Sequence, residues 1–539
     1  MMAVTVGAMP VRPLLAIDET RYVSIAWEMH QTGDWLVPHL NGEVYTHKPP
    51  LLFWLINLVW CVVGVHELPA RLIAPLMGCV CLWQTHRLAS KFWPNKSSAA
   101  ELAPLVLVGM LFWCLLGSLT MFDTLLISGL LLALEGVWDE WTQPTTSSLV
   151  RIGLGVGWGV LAKGPAIAVY FVPVLLLSRW WSVAPPFGGC VRCGLRIATA
   201  GALGLLPAVA WIVAAVESVG RDYLEEMIYT QATGRTISAM AHVRPVWWYL
   251  PLLPVVTIPW LFWGPPWNAW LSAFWSRTAD SGTRLCVAWI GGSLLILSAA
   301  GGKQIHYLLP LQPAVALLLA RWANSEAMIP RRALLMRSIS FVLLGAGLCV
   351  SPWLPLPEKV VGIVPGWLGL VPLVSATLVL FQRRPTTRRV VSLTATIVVL
   401  NLLAFQWGIA ATYFQHLRFE SFADQVADAQ RDGLDVAYVG RSYHGQFNFL
   451  GRLPKTITVL LEEQDWQDWL AGHPQGSIIE EVRARRRHEL PPVREGVRVL
   501  ASLASMRGLT WQRFDLWTPD GIAMKDKKES ARPSAADKP

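Results

Sequence analysis

Positions 195–217 read LRIATAGALGLLPAVAWIVAAVE, a stretch whose only charged residues, Arg196 and Glu217, stand at its two ends. At about 1.5 Å per residue, an α-helix needs about 20 such residues to cross the ~30 Å hydrocarbon core of a bilayer. The composition extends this pattern to the whole chain: 53% of its 539 residues are hydrophobic and 15% are charged. An ordinary soluble domain carries about 25% charged residues. The sequence therefore predicts a multi-span α-helical membrane protein.

Apolar blocks of similar length recur on both sides of this stretch. We expect about twelve membrane spans, separated by short polar loops. The predicted spans are 69–88, 101–119, 122–138, 149–163, 165–181, 195–217, 246–264, 284–300, 306–322, 336–353, 361–381 and 389–411.

The basic residues fall into short clusters between these blocks. Loops at 86–96, 179–196, 323–337 and 382–389 hold the clusters, and all of them come to one side if the first span runs inward. Cytoplasmic loops of inner-membrane proteins carry such an excess of Lys and Arg. The net charge of +9 is therefore assigned to membrane orientation and to contact with anionic lipid, and not to nucleic-acid binding.

The outer side then receives the remaining polar segments. Ionisable groups at the face of a membrane bundle are costly unless they are paired or functional, so these segments are where a site is expected. The sequence thus predicts a site on the periplasmic face of a bacterial inner membrane. The outer segments are 12–48, the turn 117–123, the loop 218–245, the turn 301–306 and everything after about 412.

Four regions follow from this arrangement. Residues 1–68 are a first outer loop, in which the apolar block 49–65 lies in the membrane interface. Too few residues precede Arg12 for a span, so we expect a first membrane helix to be missing. Residues 69–411 are the bundle, 412–519 a periplasmic α/β domain and 520–539 a disordered tail. Within the α/β domain, the pattern predicts helices at 420–431 and 463–470 and strands at 436–440, 456–461, 497–503 and 510–517.

Two carboxylates stand out among the outer segments. Asp18 opens the run Asp18-Glu-Thr-Arg-Tyr22, and Asp123 follows Phe122 in an otherwise apolar stretch. A charged Asp within a membrane span costs about 2.5 kcal/mol or more unless it is paired or useful. The structural alternative for each residue is the N-cap of a helix.

Cations gather on the same side. Arginine forks match phosphate oxygens, and lysine provides a compact positive charge. Juxtamembrane arginines also serve as plain anchors, and that alternative stays open for these residues. The cations are Lys48, Lys163, Arg235, His242, Arg244 and Lys303.

This combination of charges suits one reaction class. A sugar carried on a polyprenyl phosphate leaves its lipid as a phosphate, whose developing charge needs cations. The acceptor needs orientation and, for some acceptors, a carboxylate base. A transporter or flippase of lipid-linked sugars is the alternative, but it would need polar residues deep within its spans. The sequence has no Walker-type loop and no dinucleotide fingerprint, which disfavours nucleotide-sugar chemistry.

The order of the motifs resembles that of a known superfamily. The runs Asp18–Tyr22, Gly33-Asp-Trp35 and Lys48-Pro-Pro50, with Arg71 following, resemble the first outer loop of aminoarabinose transferases and protein mannosyltransferases. Both families belong to the GT-C glycosyltransferases, and the aminoarabinose branch is the more similar. The resemblance covers about 12–420 and implies a GT-C fold. Its later motifs are Phe122-Asp123, Lys163-Gly-Pro165, His242-x-x-Pro-x-Trp-Trp248 and Lys303-x-x-x-Tyr307-x-x-Pro310.

The resemblance also implies an activity and a set of roles. It implies inverting transfer of a sugar, aminoarabinose in that branch, from undecaprenyl phosphate to lipid A or another envelope acceptor. Asp18 is then the catalytic residue and Asp123 its partner carboxylate. The implied contacts to the lipid phosphate are Lys48, Arg235 and Tyr307, with His242 and Lys303 nearby. The supporting positions are Glu19, Tyr45, His47, Arg244 and Lys163.

One position departs from the family pattern. His47 precedes the Lys-Pro pair where the family commonly has Glu, so a metal or hydrogen-bond role of that Glu does not carry over. A divalent metal is the one cofactor left open, and no other is expected. Lipid A phosphate is already ionised near neutral pH, so Asp18 would orient it. If the acceptor is instead a protein hydroxyl on the same fold, Asp18 would be a general base.

Overall fold

The chain divides into two compact units. The first comprises Met1–Arg12, Met29–His39 and Val44–Thr412, and the second comprises Pro13–Glu28, Leu40–Glu43 and Tyr413–Pro539. The predicted domain boundaries remain predictions. The computed structural model describes residues 1–182, 184–186, 188–232, 244–263, 280–323, 325–354, 363–440, 443–460, 465–484, 497–507 and 510–519.

The first unit is helical. Its helices are α1 (Met2–Ala8), the end of α2 (Asp18–Thr32), α3 (Leu51–Val63), α4 (Glu67–Phe92), α5 (Ser97–Val108), α6 (Leu111–Leu116), α7 (Asp123–Thr142), α8 (Thr146–Lys163), α9 (Ala166–Leu176), α10 (Ser178–Trp181), α11 (Cys190–Val219), α12 (Arg221–Ala232), α13 (Leu252–Val256), α14 (Ser281–Ala299), α15 (Gln312–Arg321), α16 (Arg331–Val350), α17 (Leu370–Leu380) and α18 (Thr387–Gly408). Two short strands, β1 (His39–Leu40) and β2 (Glu43–Val44), follow α2.

Several of these helices have the length and composition of membrane spans. Among the described residues, four are long and apolar enough: Cys190–Val219, Ser281–Ala299, Arg331–Trp353 and Thr387–Gly408. Six shorter apolar helices accompany them, among them Leu51–Val63 and Ile305–Arg321. The predicted membrane character is therefore confirmed, while the number of spans stays a prediction.

Glycines bring α7, α8 and α11 unusually close together. A Cβ atom at Gly155 of α8 would stand 2.5 Å from the Gly129 oxygen of α7, and one at Gly157 would stand 2.2 Å from the Gly204 oxygen of α11. Small residues allow such approach in a bundle where packing, and not water exclusion, holds helices together. Gly136, farther along α7, meets Ile152, nearer the start of α8. The two helices are therefore antiparallel, and the start of α7 lies beside the end of α8.

Several of the predicted spans are not single continuous helices in the structure. The block 101–119 divides into α5 and α6 at Gly109, where the Trp260 indole packs. At this break the Leu111 N–H has no partner within the helix and donates instead to the Ile258 oxygen at 3.1 Å. The interruption therefore leaves this donor hydrogen-bonded within the protein. The block 306–322 begins as a tight 3₁₀ turn over Ile305–Leu311, with Pro310 inside it, before α15. Proline removes a helical hydrogen bond and clashes with the preceding turn.

The second unit contains a mixed sheet covered by helices. Its strands have the order β4-β3-β5-β7-β6, parallel from β4 to β5 and antiparallel beyond. Phe422 and Val426 of α19 pack in one core with Phe514 and Leu516 of β7. The α/β class is confirmed, and β5 is an element that the sequence did not predict. The bounds are α19 (Glu420–Arg431), β3 (Val436–Val439), β4 (Thr458–Leu460), α20 (Asp465–Gly472), β5 (Ser477–Ala484), β6 (Val497–Arg507) and β7 (Thr510–Pro519).

Candidate functional site

A buried ion pair lies where α7 begins and α8 ends. Asp123 is the first residue of α7 and is 3% exposed. Lys163 is the last residue of α8, and its Nζ lies 2.7 Å from Asp123 Oδ1. Among the described residues, no hydrogen bond reaches Asp123 Oδ2. The two predicted positions, 40 residues apart, thus form one pair with an acceptor oxygen still open.

Further cationic and aromatic groups surround this pair. The Tyr307 ring centroid lies 5.7 Å from Lys163 Nζ, within the range of a cation–π contact. Tyr170 fixes this segment by donating from its hydroxyl to the Tyr307 main-chain oxygen at 2.9 Å. Lys48 and, when its imidazole is protonated, His306 are also close enough to act electrostatically on the Asp123 carboxylate. The sequence singled out neither Tyr170 nor His306 as a site residue, although His306 adjoins Tyr307.

A row of aromatic rings connects the loop that carries Lys48 to the residue before Asp123. Tyr45 is buried and meets Phe53 of α3 at 6.2 Å between ring centroids. Phe53 in turn meets Phe122, the residue before Asp123, at 5.6 Å. His47 is exposed, with its ring 5.3 Å from that of Tyr45, and Lys48 is half-buried. Tyr45 is therefore a packing residue that orients the loop carrying Lys48, whose Nζ lies 3.4 Å from the His47 main-chain oxygen.

Lys303 differs from Lys48 in its surroundings. It is 4% exposed, and its ammonium donates to the Arg244 main-chain oxygen at 3.2 Å and to that of Ala300. Tyr249 holds the next residue, donating to the Gln304 oxygen at 3.3 Å. Lys303 therefore joins two loop segments through main-chain contacts, and the Arg244 side chain is exposed. Arg235 and His242 lie outside the described residues.

Two buried arginines organise the turn that leads to Asp123. Arg71 is fully buried and donates to Glu67 Oε1 at 2.6 Å and to the Arg12 oxygen at 2.9 Å. Arg12 then donates to the Ser118 oxygen at 3.1 Å. Arg71 was visible in the outer-loop motif, whereas no sequence pattern pointed to a role for Arg12.

The first predicted carboxylate belongs to the second unit. Asp18 is the first residue of α2, and its side chain is 53% exposed. Its Oδ1 accepts from Arg21 Nη2 at 3.0 Å and from the Tyr22 hydroxyl at 3.2 Å. Glu19 is 2% exposed, and its Oε2 accepts from the Leu15 N–H at 3.1 Å. Glu19 therefore connects the segment before α2 to the first turn of the helix, while Asp18 is exposed.

A second charged network lies at the other end of α7. The buried Glu135 pairs with Arg87 at 2.5 Å and Lys91 at 3.2 Å, and Arg151 lies 3.8 Å away. Glu135 of α7 therefore pairs with two cations, Arg87 and Lys91, of the predicted inner loop 86–96. Among the described residues, no group of three or more His, Cys, Asp or Glu side chains is placed to hold a metal ion.

Comparison with known proteins gives relatives in both sequence and fold. Residues 47–213 match the family described as dolichyl-phosphate-mannose-protein mannosyltransferase. The undecaprenyl phosphate-alpha-4-amino-4-deoxy-L-arabinose arabinosyl transferase of Pectobacterium atrosepticum is 30% identical over 60% of this chain and 58% of its own length. Transferase 2 of the same description from Sodalis glossinidius is 30% identical over 64% of this chain and 62% of its own length. The chain thus matches somewhat over half the length of these relatives.

The fold comparison covers almost the whole chain. The crystal structure of ArnT from Cupriavidus metallidurans in the apo state has a TM-score of 0.74 and 18% identity, covering 95% of this chain and 96% of that one. The structure of the same protein bound to undecaprenyl phosphate has a TM-score of 0.71. This chain therefore has the same fold as that protein along almost its whole length, although few residues are identical.

Proposed function

We propose that this chain is a membrane glycosyltransferase of the GT-C superfamily, a proposal supported by its similarity to the aminoarabinose transferases and by its fold. In the proposed reaction, a sugar, aminoarabinose in the first instance, moves from undecaprenyl phosphate to lipid A or another envelope acceptor. The transfer is a single displacement that inverts the anomeric carbon. The acceptor oxygen forms the new bond while the lipid phosphate leaves with the electrons of the old one.

The cluster around Asp123 is the observation that carries this proposal. Lys163 pairs with one buried carboxylate, Asp123, and its ammonium lies against the Tyr307 ring. Lys48 and, when protonated, His306 add positive charge close to the same carboxylate. A leaving phosphate gains charge as the glycosidic bond breaks, and fixed cations in a water-poor site stabilise that charge strongly. Asp123 holds the Lys163 ammonium in place. We therefore propose that Asp123 positions the cations of this cluster. Arg235 and His242 keep the phosphate roles that the resemblance implies.

Asp18 is the proposed catalytic carboxylate. Its half-exposed side chain, with Arg21 and Tyr22 on one oxygen, leaves the other oxygen able to meet an acceptor. A lipid A phosphate needs orientation and no deprotonation, whereas a hydroxyl acceptor needs a base. Glu19, Tyr45, Arg244 and Lys303 support the site through structure, and His47 faces solvent beside Lys48.

The proposed location is the bacterial inner membrane with the site on the periplasmic face. The basic loops at 86–96, 179–196, 323–337 and 382–389 support this orientation, because such clusters stay on the cytoplasmic side.

Lipid A mass spectrometry on cells with and without the gene tests the proposal. We expect a sugar-sized mass increment that disappears in the deletion strain and returns with the wild-type chain but not with Asp18→Asn. Membrane levels of both chains are matched by immunoblot. An unchanged lipid A profile with the sugar moved to envelope protein would assign the acceptor to protein. Normal turnover by purified Asp18→Asn would contradict the catalytic assignment.

A further inference from the structure

The helix that presents Asp18 folds with the C-terminal part of the chain. Residues Pro13–Glu28 and Leu40–Glu43 group with Tyr413–Pro539, although almost 400 positions separate them in sequence. Asp18 begins α2, so the first two-thirds of this helix and the turn that follows it belong to the second unit. The contacts that hold them are specific hydrogen bonds.

Ser24 attaches α2 itself. It is 1% exposed, and its hydroxyl donates to the Gly445 oxygen at 2.7 Å while accepting from the Phe449 N–H at 3.2 Å. Ser24 follows Asp18 by six positions, which is about 9 Å along a helix. One buried hydroxyl thus joins the Asp18 helix to the segment 445–449 at two main-chain points.

Asn41 attaches the turn between β1 and β2, which follows α2, to the C-terminal part of the chain. Its side-chain amide makes a reciprocal pair with Ile457, donating to the oxygen at 2.7 Å and accepting from the N–H at 2.8 Å. Asn448 adds a third hydrogen bond, at 3.3 Å to Asn41 Oδ1. Asn41 has a φ of 57°, a left-handed conformation that Asn tolerates better than most residues.

Glu28 connects the turn back to the helix. Its carboxylate oxygens accept from the Asn41 N–H at 2.6 Å and the Gly42 N–H at 2.7 Å. Glu28 is therefore a charged acceptor for two adjacent backbone donors, which is a strong arrangement. With Ser24 and Asn41, it fixes α2 at its middle and at its C-terminal side.

We propose that the C-terminal unit acts in the reaction by positioning α2, and hence Asp18, with Ser24 and Asn41 as the positioning residues. This inference rests on the proposed function, in which Asp18 is catalytic. Catalysis depends on placing the acceptor and the reacting centre in line, and a shift of about 1 Å costs roughly 100-fold in rate. A helix fixed through buried hydrogen bonds to a five-stranded sheet unit meets that requirement better than a free loop.

Asn41→Gly and Ser24→Ala test the proposal in the purified full-length chain. Glycine keeps the left-handed backbone, so Asn41→Gly removes only the side-chain hydrogen bonds. Gln430→Ala is the matched control. Gln430 makes a similar reciprocal pair with Lys455, at 3.1 and 3.2 Å, and among the described residues no side-chain hydrogen bond joins it to α2 or to the turn after it.

Donor KM, kcat and thermal stability are measured for each variant. We expect kcat to fall roughly tenfold or more in Asn41→Gly and Ser24→Ala, because the carboxylate is displaced, while donor KM changes less than about twofold. Ser24→Thr, which keeps the hydroxyl, should restore most of the activity. Gln430→Ala should lower thermal stability as much as Asn41→Gly does and leave kcat near wild type.

The two proposals fail in distinguishable ways. If Asp18→Asn is inactive but both positioning variants turn over like Gln430→Ala, the positioning role is wrong and the catalytic assignment stands. If Asp18→Asn turns over normally, both are wrong. Should Asn41→Gly fail to fold, Ser24→Ala against Ser24→Thr decides the question alone.

Discussion

The pairing of Asp123 with Lys163 explains how a carboxylate is kept in an apolar setting. The Asp123 side chain is almost fully buried, and its partner ammonium lies 2.7 Å away. Removing one member of such a pair leaves an uncompensated buried charge, which is far more costly than the pair itself is favourable. The pair therefore serves both stability and the placement of positive charge for the proposed reaction.

Lys163→Met should destabilise the purified protein by about 3–5 kcal/mol, because it leaves the Asp123 carboxylate unpaired. Combining it with Asp123→Asn should recover most of that loss, since no buried charge then remains. Thermal unfolding of the two single variants and the double variant in one detergent measures this coupling. Additive effects in the double variant would show that the pair is not coupled.

Lys48 and Lys303 should behave oppositely when each is replaced by Ala. Lys48 is half-buried beside Asp123, so Lys48→Ala should weaken donor binding roughly tenfold or more through loss of a charge-assisted contact, at nearly unchanged stability. Lys303 is buried on two carbonyl oxygens, so Lys303→Ala should mainly lower thermal stability. Donor titration and thermal unfolding of both variants separate the two effects. The reverse pattern would transfer the phosphate contact to Lys303.

At the scale of elements, close helix packing decides where the site residues meet. Gly129 and Gly155 let α7 and α8 approach, and their antiparallel arrangement brings Asp123 and Lys163 to one end. A bulkier residue would separate the helices or rotate one of them. The glycines therefore help to determine the geometry of an ion pair that lies about two helical turns away.

Gly155→Ala should destabilise the bundle by about 1–3 kcal/mol, because the added methyl meets α7 backbone atoms. Those atoms stand 2.5 Å away, whereas a Cβ at Gly201 of α11 meets nothing within 4 Å. Gly201→Ala is thus the matched control and should be neutral or slightly stabilising, since Ala favours a helix. Equal thermal stability of the two variants would contradict the close approach.

At the scale of elements, the structure also shows where predictions from local sequence patterns succeed and where they fail. The helix at Glu420–Arg431 was predicted with its observed bounds, because its apolar positions recur with helical spacing. Strand β5, over Ser477–Ala484, was not predicted, since Glu480 and Glu481 interrupt its apolar alternation. Glu481 is nevertheless used, accepting from the Tyr438 hydroxyl of β3 and from Gln512 of β7.

At the scale of the whole molecule, the orientation of the chain in the membrane is a testable prediction. The predicted arrangement places residues from about 412 onward outside the inner membrane, because the basic loops stay inside. Alkaline phosphatase fused to the C-terminus should be active, and a fluorescent protein fused at the same point should be dark. Fusions after Arg388, in a predicted inner loop, are the matched controls and should show the reverse. Identical behaviour at both points would contradict the assigned orientation.

The sequence by itself determined the class of the protein and the identity of most candidate residues. Hydropathy is a local property, because each block must be apolar along its own length to lie in lipid. The outer-loop motifs, with Asp18, Lys48 and Asp123, were readable for a similar reason: they are short runs with fixed spacing. The fold class and the resemblance to aminoarabinose transferases were confirmed on that basis.

Only the tertiary structure decided which residues work together. Lys163 contacts Asp123 across 40 positions, and Asn41 contacts Ile457 across 416. Neither contact can be predicted from the local sequence around either residue. The helix interruption near Gly109 likewise depends on a distant neighbour, because the freed Leu111 N–H is satisfied by the Ile258 oxygen. Long-range contacts are chosen by packing of the whole chain, whereas local pattern records only whether a segment favours lipid, water, helix or strand.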